Sequence, residues 1–400
     1  MQIRTMRIFL SIWAVAWIFS CTKIDQHLVK ISPELKQQLL AYLDSKGLPP
    51  DEYLLEKFKD HDIIFLGETH RLKQDPLFVQ SLVPKLYQAG IRNLGTEFAC
   101  VENQPLVDIL VDNPEYHTEL AVEIQRHIVG GTWPFQEYLD IFKEVWEFNH
   151  SLPKDAPKFR IVALTPYLNF EKRNFGTPQE VKAENMKLAG YDQTMAEGIL
   201  KQIVARGEKG LIYCGIHHAF TRYYQPIVEN GKFVRFNKQR AGNIVYEAIG
   251  DRAITLCLHH PWPDFTQKET FFYLPFWGFL DQVYHDYGRP VGLDLVNTPF
   301  SKLTDFKAYY SYGYADFKAS DIYDGYLMLD ELKNYQGVTL IKNWVDSDQR
   351  LESLKRSLPN QEWGRTLQSK EEFQHGIESD TKFQERNRKL IAQLEKLLQG

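Results

Sequence analysis

The hydrophobic pattern of the chain alternates between short, continuous apolar runs and longer stretches with helical spacing. Residues 63–66, 93–98, 160–164, 211–214, 253–258 and 291–296 are apolar runs of strand length, and 326–329 is a further candidate. A run that is apolar throughout, rather than at every second position, fits a strand covered on both faces. Between these runs, helical spacing predicts helices over 77–86, 135–149 and 181–206. Ser32-Pro33-Glu34 reads as a capped helix start that Gly47 closes, and Pro49-Pro50 begins the next helix. Strand–helix alternation predicts an α/β fold, a mainly parallel sheet with helices on both faces. Residues 262–290 and 300–322 are dense in aromatics without a clear period and read as insertions over one end of the sheet. Residues 370–399 are highly charged, with Phe383, Leu390, Ile391, Leu394, Leu397 and Leu398 near helical spacing, and predict a C-terminal surface helix. No internal repeat or low-complexity linker interrupts 32–400, which reads as one domain with its core at about 60–335.

The first residues follow a different pattern. Arg4 and Arg7 precede an almost wholly apolar run over 8–19, the length of a signal h-region and too short to span a bilayer. It ends at Ile18-Phe19-Ser20-Cys21, which resembles a bacterial lipobox, with bulky Phe19 as a departure. Residues 1–20 therefore read as a lipoprotein signal peptide and 21–31 as a tether. In that reading the Cys21 thiol carries the lipid, and the protein is exported and anchored to the cell membrane or outer membrane.

Composition narrows the field. The formal charge is −5, from 47 basic and 52 acidic residues, and no basic patch points to nucleic acid. Beyond Cys21, only Cys100, Cys214 and Cys257 remain. An odd, small set inside apolar runs reads as buried thiols, not a disulfide framework. An aromatic content of 14% suits a large core or a site for a flat or apolar ligand.

Three strand ends carry the candidate chemistry: Gly67-Glu68-Thr69-His70, Glu97, and Gly215-Ile216-His217-His218. Functional groups in parallel sheets gather at the carboxyl ends of strands, and a glycine there lets the chain turn sharply and approach closely. If these ends are neighbours, Glu68, His70, Glu97 and His218 converge. They could ligate a divalent metal through His70, Glu97 and His218, or activate water as a Glu–His pair. His259-His260 after another strand could reach the same rim. Asp294 within an apolar run calls for a partner. Tyr309, Tyr310, Tyr312 and Tyr314 form a cluster that either packs or offers a haem ligand.

The order of these motifs resembles a superfamily that includes the erythromycin-esterase-like proteins, the ChaN-like haem-binding lipoproteins and the Tiki/TraB proteins. Ile63 to His70 is similar to an apolar strand entering G-E-x-H, followed by Glu97 and a second G-x-x-H at Gly215 to His218. Trp133-Pro134-Phe135 leading to Phe148-Asn149, and Tyr191-Asp192-Gln193-Thr194-Met195-Ala196 in place of R-D-x-x-M-A, extend the likeness over about 60–222, more faintly to 330. The resemblance implies Glu68, His70, Glu97 and His218 as site residues. It implies ester or amide hydrolysis, with or without a divalent metal, of a small-molecule or peptide substrate; its alternative is haem or ligand binding for uptake. Tyr191 stands where the family has arginine. Arg222, four residues after His218, is the candidate replacement and, with His217, a candidate substrate contact.

Overall fold

A computed structural model describes residues 28–264 and 271–399. The signal peptide and Cys21 lie outside the described residues. Eleven strands are described: β1 Ile63–Glu68, β2 Asn93–Cys100, β3 Arg160–Thr165, β4 Gly210–Gly215, β5 Gln225–Glu229, β6 Lys232–Asn237, β7 Ala253–Leu258, β8 Trp262–Asp264, β9 Phe271–Tyr273, β10 Val291–Asp294 and β11 Gly325–Met328. Seven of them form one sheet in the order β10-β11-β7-β1-β4-β2-β3. Every pairing in it is parallel except β10 with β11.

β1 sits in the middle because its first five residues are apolar or glycine and its one carboxylate, on Glu68, finds partners inside the protein. All six of its residues are buried, and alternate side chains enter opposite cores. Ile64 and Leu66 join the core under the helices Pro50–Lys57, Gln74–Gln88, Gln104–Asp112 and Gln136–Ser151. Ile63 and Phe65 join the core under Pro33–Lys46, Tyr191–Gln202, Ala241–Ile249 and Phe279–Tyr287. Helices on both faces were the expectation from continuous apolar runs. Glu68 keeps the phase of Ile64 and Leu66, so its carboxylate projects into the first core.

Local departures have local causes. The expected helix over 181–206 is two helices, Pro178–Ala189 and Tyr191–Gln202, parted at Gly190. The C-terminal helix is three shorter pieces, Lys370–Thr381, Phe383–Arg386 and Arg388–Gln399. The aromatic segment 262–290 holds the hairpin β8–β9 and the helix Phe279–Tyr287. An unforeseen hairpin, β5–β6, turns at Asn230-Gly231, both with positive φ (51° and 72°) as a tight hairpin turn requires. Among the described residues no helix is long and apolar enough to cross a membrane.

Candidate functional site

The chain runs from β1 to β2 and β3 and back to β4, which inserts beside β1, and then crosses to β7 on the other side. Strand order therefore reverses at β1 and β4, and crevices open at such reversals. Two glycines let this crevice close tightly. A Cβ on Gly67 would come within 2.3 Å of the Ile216 side chain, so the helix Ile216–Ala219 could not pack on β1. A Cβ on Gly215 would lie 2.7 Å from the His70 ring.

Glu68 is fully buried at the end of β1. The Tyr138 hydroxyl lies 2.8 Å from both of its carboxylate oxygens, and the Tyr213 hydroxyl donates to Oε2. His70 Nδ1 stands 2.6 Å from Glu68 Oε1. This pairing assigns the proton to Nδ1 and leaves Nε2 as the reactive nitrogen. Nε2 faces Glu97 Oε1 at 3.5 Å, while Glu97 Oε2 accepts the Gly215 N–H at 2.6 Å. β2 leaves the register of β4 after Thr96, which frees Glu97 to turn toward that strand's end. Trp133 and Phe98 stack on each other and meet the His70 ring edge-on. The imidazole is still 36% exposed, so it forms part of an open rim.

His218 also feels the charge of Glu97. Its Nδ1 lies 2.7 Å from Asp192 Oδ1. Asp192 also accepts from Arg240 at 3.1 Å and from the Ala241 backbone N–H at 2.9 Å. Tyr191 lies over the His218 ring. The motif's aspartate thus orients the histidine, and Arg240, not Arg222, supplies the guanidinium. Arg222 points elsewhere, paired with Asp324. Its sequence proximity to His218 misled because the chain turns away after the short helix Ile216–Ala219.

Electrostatics divide the histidines. Burial opposes charge on His70, but the carboxylates of Glu97 and Glu68 outweigh it and raise its pKa. Burial likewise opposes charge on His218, and Asp192, with help from Glu97, raises it. His217 is pushed well below the imidazole range by burial and by Arg240, His218 and His70. Its Nε2 lies 2.9 Å from the Tyr310 hydroxyl. His260 reaches the rim through Thr69 Oγ1 at 2.8 Å, and burial pushes it down to about 3. His259 is turned into the interior, 3.0 Å from Asp281 and 3.1 Å from the Tyr326 hydroxyl. Asp294 lies away from the site, held by Tyr53 and Lys57. Cys100, Cys214 and Cys257 are free and buried, and burial raises all three thiols.

Four contributors were not foreseen. Tyr138, Tyr213 and Arg240 carried no motif, and Asp75 looked like an ordinary first-turn acid. Asp75 is fully buried, and neither carboxylate oxygen has a hydrogen-bond partner among the described residues. Burial, then the charge of Glu68, raises its pKa far above the carboxylate range. The nearest sequence signal for Tyr213 was a tyrosine inside a fully apolar strand, two residues before a site glycine.

Glu68 and Asp192 hold Nδ1 of His70 and His218, and the Gly215 N–H holds Glu97 Oε2, so the atoms of the expected metal ligands not bound in this way are Nε2 of each histidine and Glu97 Oε1. Among the described residues no group of three or more His, Cys, Asp or Glu is arranged to hold a metal ion. Three of the four clustered tyrosines are engaged within the fold: the Tyr309 and Tyr314 hydroxyls donate to the carbonyls of Pro226 and Tyr224, and that of Tyr310 meets His217.

No protein-family model and no curated protein matches the sequence. Solved structures do. A succinoglycan biosynthesis protein aligns over 78% of this chain and 100% of its own, at 12% identity and a TM-score of 0.52. A mutant of erythromycin esterase EreC in its open conformation aligns over 73% and 95%, at 9% identity and 0.49. Haem-bound ChaN of Campylobacter jejuni aligns over 55% and 89%, at 14% identity and 0.30. The chain shares its fold with the succinoglycan biosynthesis protein. At such identities the likeness is one of fold, and function has to come from the site.

Proposed function

We propose that this protein hydrolyses an ester or amide bond with water activated by His70. The observation that carries the reading is the Glu68–His70 pair. A buried carboxylate, fixed by two tyrosine hydroxyls, holds Nδ1 of an imidazole whose other nitrogen lies at an open rim beside a second carboxylate. That is the arrangement a general base needs: correct tautomer, fixed orientation and raised basicity.

In this mechanism a water donates one hydrogen to Glu97 Oε1 and the other to His70 Nε2. As the water oxygen attacks the carbonyl carbon, its proton passes to Nε2, and Glu68 steadies the imidazolium. His218, held protonated by Asp192, donates from Nε2 to the departing oxygen or nitrogen as the carbon–heteroatom bond breaks. Neutral His217 lies beside the attack site as a substrate contact. No metal step is invoked. Anchorage through Cys21, and an exported location, belong to the same proposal.

The test is a panel of chromogenic esters and amides with the purified chain, alongside its metal content and visible spectrum. Turnover that survives chelation and drops about 10²–10⁴-fold in His70→Ala supports the reading. A Soret band on haem addition, with no substrate turned over, would replace it with ligand binding.

A further inference from the structure

Ten large apolar side chains are exposed among the described residues, and five of them, Val29, Tyr224, Phe233, Val234 and Phe306, lie on segments joined to one another by hydrogen bonds. The Val29 N–H donates to the Trp277 carbonyl, and the Trp277 indole N–H donates to the Thr304 carbonyl. The following segment carries Phe306, 61% exposed, and then ties to the β5–β6 hairpin through Tyr309 to Pro226 and Tyr314 to Tyr224. Phe233 lies over Gly313 and against Phe236, which meets Tyr314. Phe233 and Val234 are consecutive on β6 and so point to opposite sides, yet both are exposed. The first four residues of β6 are all exposed.

The charge on this surface is one-sided. Lys30, Lys232, Arg235, Lys238, Lys302 and Lys307 are exposed, and none has a carboxylate partner among the described residues. Lys238 lies over Tyr224 and Lys307 over Trp277. The acids nearby are Asp316, paired with Lys318, Asp321, which accepts the Lys318 N–H, and Glu229 at the hairpin turn. An aromatic and apolar surface ringed by unpaired cations, on a chain of net charge −5, is complementary to anionic headgroups over an acyl interior. The position of the anchor agrees. Cys21 precedes Leu28 by seven residues, a reach of at most about 25 Å. The first described residues lie on this very surface.

We infer that this surface, the β5–β6 hairpin tip with the 304–307 segment and Val29, docks on an anionic lipid surface. It would seat the protein in one orientation instead of leaving it on a swinging tether. The inference is independent of the hydrolase reading. β5 also borders the site, since Gln225 accepts two hydrogen bonds from Arg240, so docking would bring the rim close to the lipid.

The test places an environment-sensitive fluorophore on Phe306→Cys and, as a control on a different surface, on Met186→Cys. The three described native thiols are buried. The full chain is added to vesicles of phosphatidylcholine with and without phosphatidylglycerol, in the Cys21 and Cys21→Ser forms, so that anchoring and docking separate. The expected result is a blue shift at 306 but not at 186, on phosphatidylglycerol vesicles. Combining Lys232→Glu, Arg235→Glu and Lys307→Glu should weaken vesicle binding of the Cys21→Ser form by about tenfold or more. Water-like emission at 306 on anionic vesicles would overturn the inference. So would a shift at 306 without vesicles that grows with protein concentration, which would assign the surface to a second copy.

Discussion

Four histidines stand at the rim of the sheet, and they divide two against two. His70 and His218 each present Nδ1 to a carboxylate, and their pKa values rise despite burial. His217 Nε2 meets the Tyr310 hydroxyl and His260 meets hydroxyl, thiol and carbonyl groups, and burial drives both histidines down. The contrast shows that a carboxylate at Nδ1, not position on the rim, separates a proton-handling imidazole from a neutral one. A fifth, His259, sharpens it. His259 also has a carboxylate, Asp281, but both are buried in the interior, where the pair can only hold structure.

The largest effect should come from breaking the first pair. His70→Ala should lower kcat/KM by about 10²–10⁴-fold in protein that stays folded, since Glu68 keeps the Tyr138 and Tyr213 hydroxyls. An inactive and unfolded variant would instead make His70 structural. Asp192→Asn should lower kcat by up to about 10²-fold through misplacement of His218, and should move the basic limb of the pH profile down. An unshifted limb would remove His218 from proton transfer. His259→Ala should do the reverse, destabilising the fold by about 3 kcal/mol with kcat unchanged in the folded fraction. A loss of kcat without a loss of stability would bring His259 into the site.

The smallest effects concern pH and stability, and they carry signs. His70 and His218 have raised folded pKa values. Their contribution is full below about 6.5, the unfolded value, and is lost as pH rises through the folded pKa. His217 and His260 oppose them, since they fold neutral and destabilise the native state as pH falls below about 6.5. Asp75, raised far above an ordinary carboxyl, makes stability fall as pH climbs past about 3.9 toward its folded value. Asp75→Asn should flatten that fall in denaturation curves measured from pH 4 to pH 8. An identical slope in the variant would mean that Asp75 ionises freely.

The parts legible in the sequence were those written in local order. Apolar runs ending in Gly67 and Gly215 located the strand ends, and G-E-x-H placed Glu68 and His70 two residues apart on one rim. What escaped was tertiary. Nothing local says that Tyr138, in the middle of a helix, and Tyr213, on a neighbouring strand, close on Glu68, or that Arg240 reaches Asp192 across 48 residues. Arg222 was the natural guess by spacing, but its side chain follows the turn to Asp324. The β5–β6 hairpin was a different failure. Its Asn230-Gly231 turn is a strong local signal, but β5 is only half-buried, β6 is largely exposed, and both lack the continuous apolar runs of the sheet strands.

The central claim is that Glu68 makes His70 the base. The most direct measurement is kcat/KM against pH, on any ester or amide the protein turns over, for the wild type and Glu68→Gln. In the wild type the acid limb should lie above the ordinary imidazole value of about 6.5. In Glu68→Gln it should move down as the activity falls. An acid limb at the same pH in both proteins would contradict the account.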